Sequence, residues 1–117
     1  MYSTINMDYL DEVALGSKEF KIEIIDSFLS KTPESLEQMK TCLANSEYEQ
    51  IGKIAHKLKT SFSFMGMEDM VSLSKLMQDM GLNLQNVSEF PEKINNLAEG
   101  FEKGAKELNE ELINLKK

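Results

Sequence analysis

Residues 51–67 read IGKIAHKLKTSFSFMGM. Placed on a helix at roughly 100° per residue, Ile51, Ile54, Ala55, Leu58, Phe62 and Met65 fall within a sector of about 80°, an apolar stripe made to be buried. His56, the only histidine in the chain, points roughly 150° from the centre of that stripe. Its helical neighbours at i−4, i+3, i+4 and i+7 are Gly52, Lys59, Thr60 and Ser63, small or polar residues with one cation among them. The histidine therefore belongs to a solvated face and not to the core. A metal-binding histidine needs carboxylates, thiols or further imidazoles one turn away. No carboxylate is read on its face of the helix, so no metal site is expected.

An imidazole near pH 7 is largely neutral and nucleophilic, and on an exposed helix face it is open to a group carried by another protein. A phosphoryl group received there would be dianionic. Lys59, one turn along, offsets such charge, and Thr60 and Ser63 offer hydrogen-bond donors. Gly52 costs about 1 kcal/mol of helix stability relative to alanine, yet it leaves room for a partner's backbone. These features together suggest a phosphoryl-carrying histidine. Each has a plainer reading beside it: an isolated surface histidine is most often just solvated, and Lys53 and Lys57 are more often solubilising than functional. Phe64 projects about 130° from the stripe centre, which favours packing under an N-terminal helix over a role as aromatic anchor for a partner. Cys42 is read as a half-buried helix residue without a redox task.

The motif resembles that of the histidine-containing phosphotransfer domains of multistep phosphorelays. Their signature is Ala-His-x-(Leu/Ile)-Lys-Gly, followed by small residues and a second glycine ten positions after the histidine. This chain reads Ala55-His56-Lys57-Leu58-Lys59-Thr60 and then Gly66. Thr60 departs from the pattern, and a β-branched side chain there would narrow access to His56 or change which partner fits. The opening Tyr9-Leu10-Asp11-Glu12, the run from Glu19-Phe20 to Phe28-Leu29 and the segment Leu73 to Gly81 also look like the family's flanking helices. The resemblance is specific over about the first 80 residues and compatible beyond them. It implies that a receiver domain, from a response regulator or a hybrid histidine kinase, brings a phosphoaspartate and its own bound Mg²⁺ to the histidine. No cofactor is expected on this chain. His56 would be the phosphoacceptor and Lys59 its electrostatic support, while Gly52, Lys53, Lys57, Thr60, Ser63, Phe64 and Gly66 would shape the docking surface. Two alternatives stand beside this one. A plain helical adaptor would tolerate replacement of His56, and a degenerate domain blocked by Thr60 would dock receivers without transfer.

Bulk properties narrow the field. The chain has 117 residues, enough for one domain with a core. Its net charge of −7 and lack of a basic tract argue against a nucleic-acid binder. A single cysteine cannot form an internal disulfide, and no apolar run approaches the length of a membrane helix. A cytoplasmic monomer is expected. The absence of a Gly-rich phosphate loop argues against an ATP-using enzyme, since a kinase must cradle nucleotide phosphates and position a metal.

Outward from the histidine helix, the chain reads as helices with a loop from Asn83 to Val87, and no segment alternates with period two for long enough to suggest a strand. Residues 1–6 are expected to fray. Residues 7–15 form a short helix with Met7, Leu10, Val13 and Ala14 inward, stopped by Gly16. Ser17 is the N-cap of the next helix, whose apolar positions from Phe20 to Leu43 run through Thr32-Pro33. A single helix kinked at the proline is favoured over two. Ser46 and Glu49 form a capping box that opens the histidine helix, and Gly66 closes it. Met70, Leu73, Met77 and Met80 make the following stripe, with Gly81 as the stop. Ser88 caps the last helix, which carries Ile94, Leu97, Ala98, Phe101, Ala105, Leu108, Leu112 and Leu115 at bundle-seam spacing. The expected fold is all-α, an up-and-down four-helix bundle with a short N-terminal capping helix. The methionines are read as adaptable core filler.

Overall fold

The computed structural model describes residues 2–117. Five α-helices follow one another: α1 (Asp8–Ala14), α2 (Lys18–Ala44), α3 (Tyr48–Phe64), α4 (Glu68–Asn83) and α5 (Phe90–Leu115), with a 3-10 turn at Val87–Glu89 before the last. Short connections make α2 to α5 run alternately up and down. Each packs on the next, and α5 closes the ring against α2. The expected all-α bundle with a short N-terminal helix is the architecture observed.

The stripes read from the sequence are the core. Ile51, Ala55, Leu58 and Phe62 of α3, with Met65 just beyond it, meet Ile25, Phe28, Leu36 and Met39 of α2 and Ile94, Leu97, Phe101 and Leu108 of α5. At mid-bundle Phe28 contacts Phe62 edge-on at 5.7 Å and Phe101 at 5.4 Å. Met7, Met39, Met65, Met67, Met77 and Met80 are all buried, as filler for irregular gaps. Val13 is the exception among the inward assignments, at 39% exposure. α1 is only 7 residues long, and its inner edge is already taken by Met7, Leu10 and Ala14.

The helix ends differ from expectation in instructive ways. Ser17 caps α2 as read, its hydroxyl accepting from the Phe20 amide at 3.1 Å, and α2 continues unbroken past Pro33. Pro33 is exposed, so water can replace the donor it withholds from the preceding turn. The capping box at Ser46 does not form, and the first turn of α3 has no side-chain cap. Ser46 is occupied in ending α2 instead. It sits at φ 58, its amide donates to the Leu43 carbonyl at 3.1 Å, and the Glu47 amide donates to Cys42 at 2.8 Å. That pair of bonds is a Schellman motif with serine in the left-handed position. Ser88 likewise lies in the 3-10 turn and does not cap α5.

Gly81 is not a stop either. It lies inside α4, which ends at Asn83 with Leu84 in the left-handed conformation. A Cβ on Gly81 would lie 2.9 Å from the Gly52 Cα and 2.6 Å from the Tyr48 carbonyl oxygen. The two glycines let α3 and α4 cross in near backbone contact.

Residues 2–6 are not frayed; Met1 lies outside the described residues. α2 and α5, at 27 and 26 residues, outrun α3 and α4, at 17 and 16. The N-terminal strap and α1 cover that overhang. The Glu107 carboxylate of α5 accepts the backbone amides of Ser3, Thr4 and Ile5 and the Ser3 hydroxyl. Tyr2 donates its hydroxyl to Glu111 at 2.8 Å, Ile5 is buried, and the Asn6 amide donates to the Met65 carbonyl at 3.0 Å. Gly66, at φ +65, has the Asn6 backbone where a side chain would project. It serves both the α3–α4 turn and the seat of the strap.

Candidate functional site

Burial of the α3 stripe turns the opposite face of that helix outward. His56, Lys53, Lys57, Thr60 and Ser63 are exposed there, and Lys59 is half-buried. His56 lines a shallow groove with Gly52, Lys53 and Lys57 of its own helix and Gln78 and Leu82 of α4. Leu82 is 74% exposed, an apolar side chain held beside an imidazole in open solvent. Glu49 lines the same groove, which corrects the reading that no carboxylate shares the histidine's face. Seven residues place it two turns, or about 10 Å, along the axis, too far to pair directly through backbone position alone. Among the described residues no group of three His, Cys, Asp or Glu side chains could hold a metal ion.

Lys59, Thr60 and Ser63 line a second depression one turn further along, together with Tyr9, Phe64 and Val71. The expected cluster is thus divided between two hollows along α3: the imidazole lines the first, and the half-buried lysine and the hydroxyls line the second. Phe64 packs edge-on against Tyr9 of α1 with ring centroids 5.2 Å apart, the packing role favoured by its position on the helix. Two residues read as part of the docking surface are placed differently from that reading, Gly52 at the floor of the His56 groove and Gly66 away from it. Gly52 is buried and turns its Cα to Gly81, so α4 fills the space read as open to a partner's backbone. Gly66 lies at the strap.

Among the described residues no ion pair engages His56, Lys53, Lys57 or Lys59. These lysines are therefore free of ion-pair partners on a molecule of net charge −7 and can turn to an incoming anion, with Glu49 the one carboxylate that lines the His56 groove among the described residues. Cys42 stands apart from it: burial, then the nearby Glu47, push its thiol upward, which disfavours the reactive thiolate.

Sequence reasoning missed Gln78 and Leu82. Neither belongs to a motif on α3, and the only sign available was the Gly52–Gly81 pair, whose crossing sets which turn of α4 lies beside the histidine. Glu49 was within reach, at i−7 from His56. A protein-family model described as the Hpt domain matches residues 23–117. The match spans the histidine helix and all of α5, past the part where the resemblance is most specific, and leaves the strap and α1 outside. No curated protein and no solved structure shows significant similarity to the chain.

Proposed function

The chain belongs to the histidine-containing phosphotransfer (Hpt) family, whose members carry phosphoryl groups in phosphorelays, and on that footing we propose that His56 accepts a phosphoryl group from a receiver-domain phosphoaspartate and passes it to another receiver. An Hpt domain is a phosphocarrier, not an ATP-binding catalyst, so the partner supplies most of the catalytic machinery. The observation that carries the reading is His56 itself, the family's motif histidine, exposed on the bundle's flank and, among the described residues, in no ion pair that must break before it can react.

The step is an in-line displacement. An unprotonated ring nitrogen of His56 attacks phosphorus, the P–N bond forms as the acyl-phosphate P–O bond breaks, and the aspartate carboxylate departs. In the return direction His56 is the leaving group. Charge on the transferring group is offset on the receiver's side by its bound Mg²⁺ and on this side by Lys59. Thr60 and Ser63 present hydroxyls to the docked partner, and Lys53 and Lys57 draw in the acidic receiver site. No helix is long and apolar enough to cross a membrane. We assign the chain to the cytoplasm, acting as a monomer.

The test is transfer of radiolabel from phosphorylated receiver domains of the same organism to the native chain and to His56→Gln. Acid-labile, alkali-stable label on the native chain alone is the expected result. Binding without label would replace the relay reading with that of a docking module.

A further inference from the structure

Lys59 differs from the other lysines of its helix. Lys53 and Lys57 are exposed, whereas Lys59 is half-buried, and among the described residues it forms no ion pair that would account for the burial. A lysine covered without a carboxylate partner runs its methylene stem along apolar surface and keeps the ammonium in water. The hollow that Lys59 lines supplies such surface in Phe64 of its own helix, Val71 of α4 and Tyr9 of α1. Tyr9 is fixed from outside that hollow. Its neighbour Leu10 is fully buried, Asp11 pairs with Lys21 of α2, and the Asn6 amide just before α1 donates to the Met65 carbonyl. The Tyr9 ring then meets Phe64 edge-on at 5.2 Å. At 50% exposure it is no part of the core, yet it is held at the one lysine assigned to the transferring group.

We propose that Tyr9 is a positioning residue for phosphoryl transfer, walling the Lys59 stem so that the ammonium meets the transferring group already ordered. A long flexible side chain that is confined beforehand has less freedom to lose during the reaction. Tyr9 acts through Lys59 and touches neither His56 nor the phosphoryl group. The proposal rests on the phosphotransfer reading, which gives Lys59 a charge to offset.

The test is rapid-quench transfer of radiolabel from a phosphorylated receiver domain of the source organism, over a range of receiver concentrations. The recipients are the native chain, Tyr9→Phe, Tyr9→Ala, Lys59→Met and the combined Tyr9→Ala/Lys59→Met. Tyr9→Ala is expected to lower the saturating rate about two- to tenfold, the range that ordering one long side chain is worth, and to leave the half-saturating concentration unchanged. Tyr9→Phe keeps the ring and the native rate. In the Lys59→Met background Tyr9→Ala has no further effect. Alanine favours a helix more than tyrosine does, so unravelling of α1 is not the source of a slower rate. NMR relaxation of the Lys59 methylene groups reads the wall without any receiver: they are more ordered than those of Lys57 in the native chain, and the difference disappears in Tyr9→Ala. The proposal is overturned if Tyr9→Ala leaves the rate or the Lys59 order unchanged, or shifts only the half-saturating concentration. It is equally overturned if Tyr9→Phe loses as much, or if Tyr9→Ala slows Lys59→Met by the same factor. Label on the native chain with any of these results keeps the relay and discards the positioning role; no label from any receiver discards both.

Discussion

At the scale of single residues, the site depends on a glycine that no motif points to. Gly81 faces Gly52 across the α3–α4 crossing, and that approach brings Gln78 and Leu82 to the edge of the His56 groove. Gly81→Ala places a methyl group against the Tyr48 carbonyl and the Gly52 backbone, atoms that cannot rotate away. It is expected to destabilise the protein by about 1–3 kcal/mol, read from urea unfolding. Gly52→Ala, whose nearest contacts are 3.1 and 3.2 Å away, is expected to cost less. The exposure of His56 was legible from sequence because a helix's outward face follows from 3.6-residue periodicity alone. The identity of the residues across the groove was not, because it depends on how far α4 slides along α3.

At the scale of elements, two ends of helices make opposite predictions from the same residues. If Ser46 opened α3 as an N-cap, its replacement by glycine would cost a few tenths of a kcal/mol. In the structure it is the left-handed residue that closes α2. Ser46→Gly is therefore expected to stabilise the protein by about 0.5–1 kcal/mol, seen as a higher melting temperature. The middle of the strap, residues 3–5, is held by the Glu107 carboxylate. Burial pushes Glu107 up, but hydrogen bonds from the Ile5 and Thr4 amides and from Ser3 outweigh it and hold the carboxyl below its ordinary value. A carboxyl depressed in the folded state contributes stability above its unfolded value and loses it as pH falls through the folded one. Glu107→Gln is thus expected to cost about 1–2 kcal/mol at neutral pH, to flatten the loss of stability in acid, and to speed amide exchange at residues 3–5. Tyr2 behaves in the other sense. Its phenol, pushed up to about 12 by burial and by the hydrogen bond to Glu111, keeps its contribution at ordinary pH and loses it progressively as pH rises from the ordinary value of 10.0 through about 12.

At the scale of the whole molecule, one core joins all four long helices, so the bundle is expected to unfold in a single cooperative transition. Phe62 is fully buried and touches Phe28, and Phe62→Ala should lower stability by about 3–5 kcal/mol while fluorescence- and circular-dichroism-detected transitions stay coincident. Sedimentation equilibrium is expected to return the monomer mass of 13.3 kDa.

The sequence by itself determined the helices, the faces they bury and the outward histidine among small and cationic neighbours. Each of these follows from side chains three and four residues apart, which share a face in any helix. Only the tertiary structure decided that Gly81 is a crossing point, that Ser46 ends one helix and does not begin the next, that residues 3–5 are pinned by Glu107, and that Gln78 and Leu82 border the histidine's face. Those outcomes depend on unequal helix lengths and on axial register between helices, which arise from backbone collisions and hydrogen bonds between segments far apart in the chain. Local periodicity carries no record of them.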